Sequence, residues 1–319
     1  MSSGERRLPD PASSLAAETG KGSGGADGLP SRLERYTTAR DRALVMRDHL
    51  TREPGEDAER AALRLSECGN YLKFRHYFTV DQIRLHGASF CKQHLICPLC
   101  AIRRGAKMLA TYLERFHYLQ ASDPTLRPYL VTLTVKNGDH LGERFEHLVQ
   151  SLSLLLKRRH IARVKLSALR HALAGLYSVE FTNRGNGWHP HVHMLVLAAE
   201  KPCAETLAYE WHTVTGDSFV VDVSAEEDQD PVEMFLEVCK YAMKFSDLTP
   251  EQTYLASRVL KGRRLIGSFG CFRGVDIPES LLDEPLDGLP YVDLFYRFRP
   301  GGGYQFMGVT PEACHGEEA

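Results

Sequence analysis

The sequence predicts an α+β protein: a mainly antiparallel central sheet flanked by helices, joined to an N-terminal cysteine-rich module. Three observations carry this. Strand-like stretches alternate with helix-like ones, and several are linked as hairpins rather than by long crossovers. One strand, His189–Ala198, opens with histidines at every second position. Four of the eight cysteines, Cys68, Cys91, Cys97 and Cys100, lie close together.

Taken in order, residues 1–32 are rich in Ser, Gly, Ala and Pro and lack apolar periodicity, the composition of a disordered leader. Residues 33–67 read as helix, broken in two by Pro54-Gly55. Residues 68–100 mix glycine, aromatic and basic residues, which suits short strands and turns. A helix over 101–120 ends at Ser122-Asp123-Pro124 and completes a module spanning 33–120. The β-branched run 129–135 is a strand leading to a turn at Asn137-Gly138. Residues 141–171 are helical. The strands 175–182 and 189–198 form a hairpin about Asn183–Gly187. A helix over 203–215, a strand over 218–223 and a helix over 231–245 follow. Residues 252–275 read as a helix and a Gly-rich basic turn, which closes a second domain at 121–278. The remainder, 279–319, is a hairpin bending at Gly301-Gly302-Gly303, with a tail.

With 39 Lys/Arg against 41 Asp/Glu the formal charge is −2, so a uniformly basic coat for nucleic acid is excluded. Distribution says more than the sum. Residues 155–171 carry six Lys/Arg and no acid, and residues 256–275 carry five and none. Lys157, Arg158, Arg159, Arg263 and Arg264 are therefore candidates for a phosphate-binding surface, as are Arg103, Arg104 and Lys107 beside the cysteines. No apolar run approaches the roughly 18–20 residues that span a bilayer. The N-terminus has no apolar signal core, so a cytoplasmic location and no membrane partner are expected.

That compartment keeps thiols reduced, so the clustered cysteines point to a metal rather than to disulfides. Cys97-Pro-Leu-Cys100 is a C-x₂-C corner, and Cys68 and Cys91 complete a tetrathiolate zinc set, with His94 as a substitute ligand.

Alternation along a strand stacks His189, His191 and His193 on one face, within reach of one divalent ion. Hairpin pairing brings Glu180 beside His191. The third ligand is thus His189 by alternation or Glu180 by pairing, and an oxygen ligand suits Mg²⁺ or Mn²⁺. The segment 235–245 has a helical pattern with Glu237 and Tyr241 at i and i+4 and Lys244 one turn later. Taken alone it is an ordinary amphipathic helix. Beside a divalent ion, with Lys244 offsetting charge, a tyrosine can attack a phosphodiester and Glu237 can activate water.

The run Tyr129–Val135, then Gly187-Trp-His-Pro-His-Val-His-Met-Leu-Val196, then Glu237-Val-Cys-Lys-Tyr-Ala-Met-Lys244 resembles the three ordered motifs of the HUH endonucleases. The likeness covers about residues 65–275 and is strongest to single-tyrosine initiators of rolling-circle plasmid replication that carry a glutamate four residues before the tyrosine. It implies an HUH nickase domain over 121–278, with His191 and His193 as ligands and His189 or Glu180 as the third. It further implies that Tyr241 attacks single-stranded or supercoiled plasmid origin DNA. The expected products are a 5′-phosphotyrosine and a free 3′-OH, with Glu237 serving hydrolytic termination. A host helicase and a DNA polymerase are the partners it implies. Other readings are an HUH transposase, a metal-dependent hydrolase of small molecules, and a zinc-bearing DNA-binding regulator.

Overall fold

The computed structural model describes residues 25–161, 167–224, 230–239 and 247–311. Most of the expected leader, Tyr241, Lys244 and the last eight residues lie outside the described residues. The chain divides into two compact units, 1–107 with 278–319, and 108–277. Each is built on its own antiparallel sheet with helices, the α+β class that the element order predicts.

In the first unit, α1 (Leu29–Leu50) starts with a proline in its first turn. It buries Tyr36, Ala39, Ala43, Met46 and Leu50, a three-and-four spacing that makes one apolar stripe. Gly55, at φ 111°, separates it from α2 (Glu56–Glu67). The acidic residues Glu56, Asp57 and Glu59 lie at the positive end of α2. Next come β1 (Tyr71–Tyr77) and β2 (Gln82–Ala88), and near the chain end β8 (Val292–Arg299) and β9 (Gly303–Pro311). The strand order is β2-β1-β8-β9. The terminal hairpin is therefore not an appendage, because β8 pairs antiparallel with β1 from Tyr71↔Arg297 to His76↔Val292. This pairing covers what would otherwise be an open edge of a two-stranded ribbon.

Asp283 holds the returning chain in place. Its carboxylate meets Arg103 at 2.5 Å and Arg32 at 2.7 Å and accepts the Leu85 N–H at 2.6 Å. Arg103 also donates to the Leu281 carbonyl and the Tyr36 hydroxyl. Here the sequence expectation needs correcting. Arg103 is buried and consumed by this cluster, so it cannot grip DNA phosphate, whereas Arg104, one residue on, is exposed.

Helix α3 (Pro98–Ser122) begins in the first unit and ends in the second. The second unit continues through β3 (Arg127–Thr134), α4 (Leu141–Arg158), β4 (Ala174–Asn183), β5 (Trp188–Ala198) and α5 (Ala204–Thr215). It then adds β6 (Val221–Ser224), α6 (Pro231–Cys239), α7 (Pro250–Val259) and β7 (Ile266–Gly270). The strand order β6-β3-β5-β4-β7 puts the histidine strand at the centre. Helices α4 and α6 both pack on β5, which is why it is buried almost continuously rather than at alternate residues.

Two expectations differ. The helix expected over 141–171 stops at Arg158, and beyond it the Ala168 N–H is taken by the buried Glu210 carboxylate at 2.9 Å. Part of the Gly-rich basic turn expected after the helix within 252–275 is instead strand β7. Its register sets Gly175 opposite Phe269 and Tyr177 opposite Gly267. A Cβ on Gly175 would sit 2.2 Å from the Phe269 ring, and one on Gly267 would sit 2.3 Å from the Tyr177 hydroxyl. Each ring thus fills the space its glycine leaves, an arrangement that reads as a loop in sequence.

Candidate functional site

The β4–β5 hairpin builds the site. Its turn depends on Gly187, at φ 81°, where a Cβ would lie 2.9 Å from the Gly138 carbonyl. The resulting register pairs Glu180 with His191 and Ser178 with His193. On the other side β3 pairs Thr132 with His193 and Thr134 with His191.

Glu180 is fully buried, and its Oε2 lies 3.5 Å from His191 Nε2 and 3.7 Å from His193 Nε2. One ligand atom from each of the three falls within 4.8 Å of the others. The imidazoles are oriented from behind. His193 Nδ1 is 3.2 Å from the Thr132 hydroxyl, and His191 Nδ1 is 3.5 Å from the His189 carbonyl. Donation from both Nδ1 atoms leaves two Nε2 lone pairs converging on a carboxylate. Three acceptors in a buried corner repel one another unless a cation lies among them, and two nitrogens with one oxygen suit a divalent ion.

His189 stands apart from this group. Its ring stacks on His191 with centroids 5.6 Å apart, and its Nδ1 is 2.6 Å from Asn137 Oδ1. Burial lowers its pKa, with the His191 ring and Arg184 adding to the effect. Of the two candidates for a third ligand, Glu180 is the one whose carboxylate meets both other imidazoles. Glu237 reaches the same corner from α6, with Oε1 3.9 Å from His193 Nε2. Sequence reading missed Thr132 and Asn137. Both lie in or beside the first motif, but only strand register reveals that they face the histidines.

The second candidate metal group belongs to the first unit. Cys68, Cys91, Cys97 and Cys100 are all buried, with Sγ atoms within 4.8 Å of one another. Cys68 lies 3.6 Å from both Cys97 and Cys100, and Cys91 lies 3.6 Å from Cys100. A tetrahedral site with metal–sulfur bonds of about 2.3 Å spaces its sulfurs by about 3.8 Å, so the four thiols fit it. Hydrogen bonding within the cluster lowers the Cys91 pKa and, together with burial, raises those of Cys97 and Cys100. His94 is exposed and outside this group.

The basic candidates are in mixed states. Lys157, Arg263 and Arg264 are exposed, although Arg263 pairs with Glu146 at 2.6 Å. Arg158 pairs with the buried Glu210 at 3.5 Å, and Arg159 lies over the Phe269 ring at 4.3 Å. Lys107 pairs with Glu284 at 3.3 Å. Among the described residues no helix is long and apolar enough to cross a membrane.

A family model described as replication protein matches residues 82–289, well over half the chain. Among known proteins the chain is similar to a protein rep of Streptococcus pneumoniae, 28% identical over 232 residues, covering 66% of this chain and 70% of that protein. It is also similar to a protein rep of Bacillus amyloliquefaciens, 30% identical over 142 residues, covering 42% and 38%. A protein rep of Lactiplantibacillus plantarum is 30% identical over 132 residues, covering 41% and 39%. The chain thus spans about two-fifths of the length of the latter two. No solved structure matches it.

Proposed function

The chain belongs to the replication protein family of plasmid replication initiators, and on that premise we propose that it starts rolling-circle replication by nicking one strand of origin DNA. The observation that carries this is the convergence of Glu180, His191 and His193 with Glu237 at 3.9 Å from His193. In the sequence Glu237 stands four residues before Tyr241.

In this reading Glu180, His191 and His193 hold a divalent ion, Mg²⁺ or Mn²⁺. When bound, that ion polarises the scissile phosphodiester as a Lewis acid. The Tyr241 hydroxyl gives up its proton as its oxygen bonds to phosphorus, and the 3′ oxygen leaves with the electron pair of the broken P–O bond and takes up a proton in exchange. A 5′-phosphotyrosine and a free 3′-OH result, the latter a primer for a host DNA polymerase working behind a host helicase. Lys244 offsets charge on the phosphate. Glu237 takes a proton from water as that water attacks the phosphotyrosine, which releases the Tyr241 phenolate and ends the cycle; attack by a DNA 3′-OH instead is strand transfer. The Cys68, Cys91, Cys97 and Cys100 group holds structural Zn²⁺. Arg104, Lys107, Lys157, Arg263 and Arg264 contribute contacts to DNA phosphate.

The test is incubation with a labelled single-stranded origin oligonucleotide and Mn²⁺ or Mg²⁺, read as an adduct that survives SDS. The expected result is an adduct that disappears in Tyr241→Phe. An adduct that persists in that variant removes Tyr241 as nucleophile. Absence of any cleavage with every origin segment favours a binding regulator.

A further inference from the structure

The sheet of the first unit has a second face that the nicking reading does not use. Alternation sends Leu72 and Phe74 of β1 to the buried side and Tyr71, Lys73 and Arg75 to the other. Cross-strand register adds Arg84 of β2 opposite Arg75, and on β8 it sets Arg297 opposite Tyr71 and Phe295 opposite Lys73. The four strands contain five Lys/Arg and a single acid, Asp293, in a chain whose overall charge is −2. Asp293 serves Lys73 at 2.7 Å and Arg75 at 3.5 Å. Among the described residues Arg84, Arg297 and Arg299 have no ion-pair partner.

Two details ask for a ligand. Arg75 and Arg84 are cross-strand partners, a like-charge pairing that weakens a sheet, and Asp293 compensates Arg75 but makes no ion pair with Arg84. Tyr71 and Phe295, both exposed, stack with ring centroids 5.9 Å apart at 27°. Large rings left in water beside unpaired guanidinium groups serve a polymer that brings both flat apolar faces and regularly spaced negative charge. A single strand has both, since its bases stack on aromatic rings and its phosphates pair with the cations. A duplex hides its base faces and is read by an element that enters a groove, which a flat sheet face does not provide.

We propose that this outer face of the β2-β1-β8-β9 sheet binds single-stranded DNA. Bases stack on Tyr71 and Phe295, and phosphates pair with Arg84, Arg297 and Arg299. The inference rests on the proposed function only in taking DNA as the polymer.

The test uses the full chain and fluorescein-labelled oligo(dT), without divalent ion, followed by anisotropy across a salt series. Arg84→Gln combined with Arg297→Gln weakens binding about ten-fold and lowers the slope of log K against log salt by about 1.4, which is two contacts at about 0.7 each for single strands. Tyr71→Ala with Phe295→Ala weakens it about ten-fold or more, while Tyr71→Phe retains it. Photo-cross-linking with 5-iodouracil in the same oligonucleotide maps to the peptides holding 71–77 and 292–299. Unchanged affinity and slope in an arginine double variant with a wild-type melting temperature overturns the proposal, as do cross-links confined to residues 108–277. The metal-dependent adduct assay is run in parallel with an origin oligonucleotide. Loss of the adduct with cross-links still on β1 and β8 removes the nickase reading and leaves this surface standing.

Discussion

Glu180 and His191 are direct partners across the β4–β5 hairpin, with Glu180 Oε2 3.5 Å from His191 Nε2 and the carboxylate wholly buried. A carboxylate in that setting is costly unless cations compensate it. The proposed metal site therefore depends on Glu180 as strongly as on the two imidazoles. Glu180→Gln keeps the shape and removes the charge, and we expect Mn²⁺ binding by calorimetry to weaken more than about ten-fold. Thr132→Val removes only the group behind His193 Nδ1, and the expected loss is about ten-fold. Equal Mn²⁺ affinity in wild type and Glu180→Gln would place the ion elsewhere.

Separating the two halves of the proposed reaction is the use of Glu237. Glu237→Ala leaves the first nick within a few-fold of wild type while hydrolytic release of the covalent adduct slows by about 10²-fold, the size of a general-base contribution. Single-turnover kinetics of adduct formation and decay measure both. A parallel fall in both rates would tie Glu237 to the metal corner through His193 rather than to water.

Metal analysis of the first unit gives a direct reading of the cysteine cluster. One zinc per chain is expected, lost in Cys97→Ser, with a fall in melting temperature when a strong chelator is present. A structural tetrathiolate contributes on the order of 10 kcal/mol to the folded state of small domains. Zinc-free protein with all four cysteines intact would dismiss the site.

Acid sensitivity is expected at Asp283. Burial raises its pKa, but Arg103 and Arg32 outweigh burial and hold the carboxyl well below the usual carboxylate range. An unfolded chain binds the proton first, near its ordinary pKa of about 4, so the stabilisation is complete above that pH and declines as pH falls toward the folded value. Asp283→Asn leaves two guanidinium groups facing a neutral amide and costs about 3–5 kcal/mol at neutral pH. Denaturant melts at pH 7 and pH 3 should show the difference between wild type and variant shrinking at the lower pH.

Much of this protein is legible one element at a time. Pro54-Gly55 divides α1 from α2, the β-branched run before Asn137 is β3, and three alternating histidines mark the head of β5. All of these are local signals, because capping, period and turn chemistry act over a few residues. Cysteine spacing likewise points to a cluster by itself. The strand β7 escaped because its Gly267 is matched to the Tyr177 ring of β4 and its Phe269 ring to Gly175 there, and no short window along the chain contains both partners.

The sequence by itself determined the composition of the site: which histidines alternate, which glutamate precedes them, and which cysteines gather. Only tertiary structure decided their placement. Antiparallel register put Glu180, rather than His189, against both imidazoles, and set Thr132 behind His193. Return of the chain end to pair β8 with β1 turned Arg103 from a candidate DNA contact into the buried partner of Asp283. The reason is one of range: a charge is assigned its role by what lies across from it, and those neighbours are 11 residues away for Glu180 and 180 for Arg103.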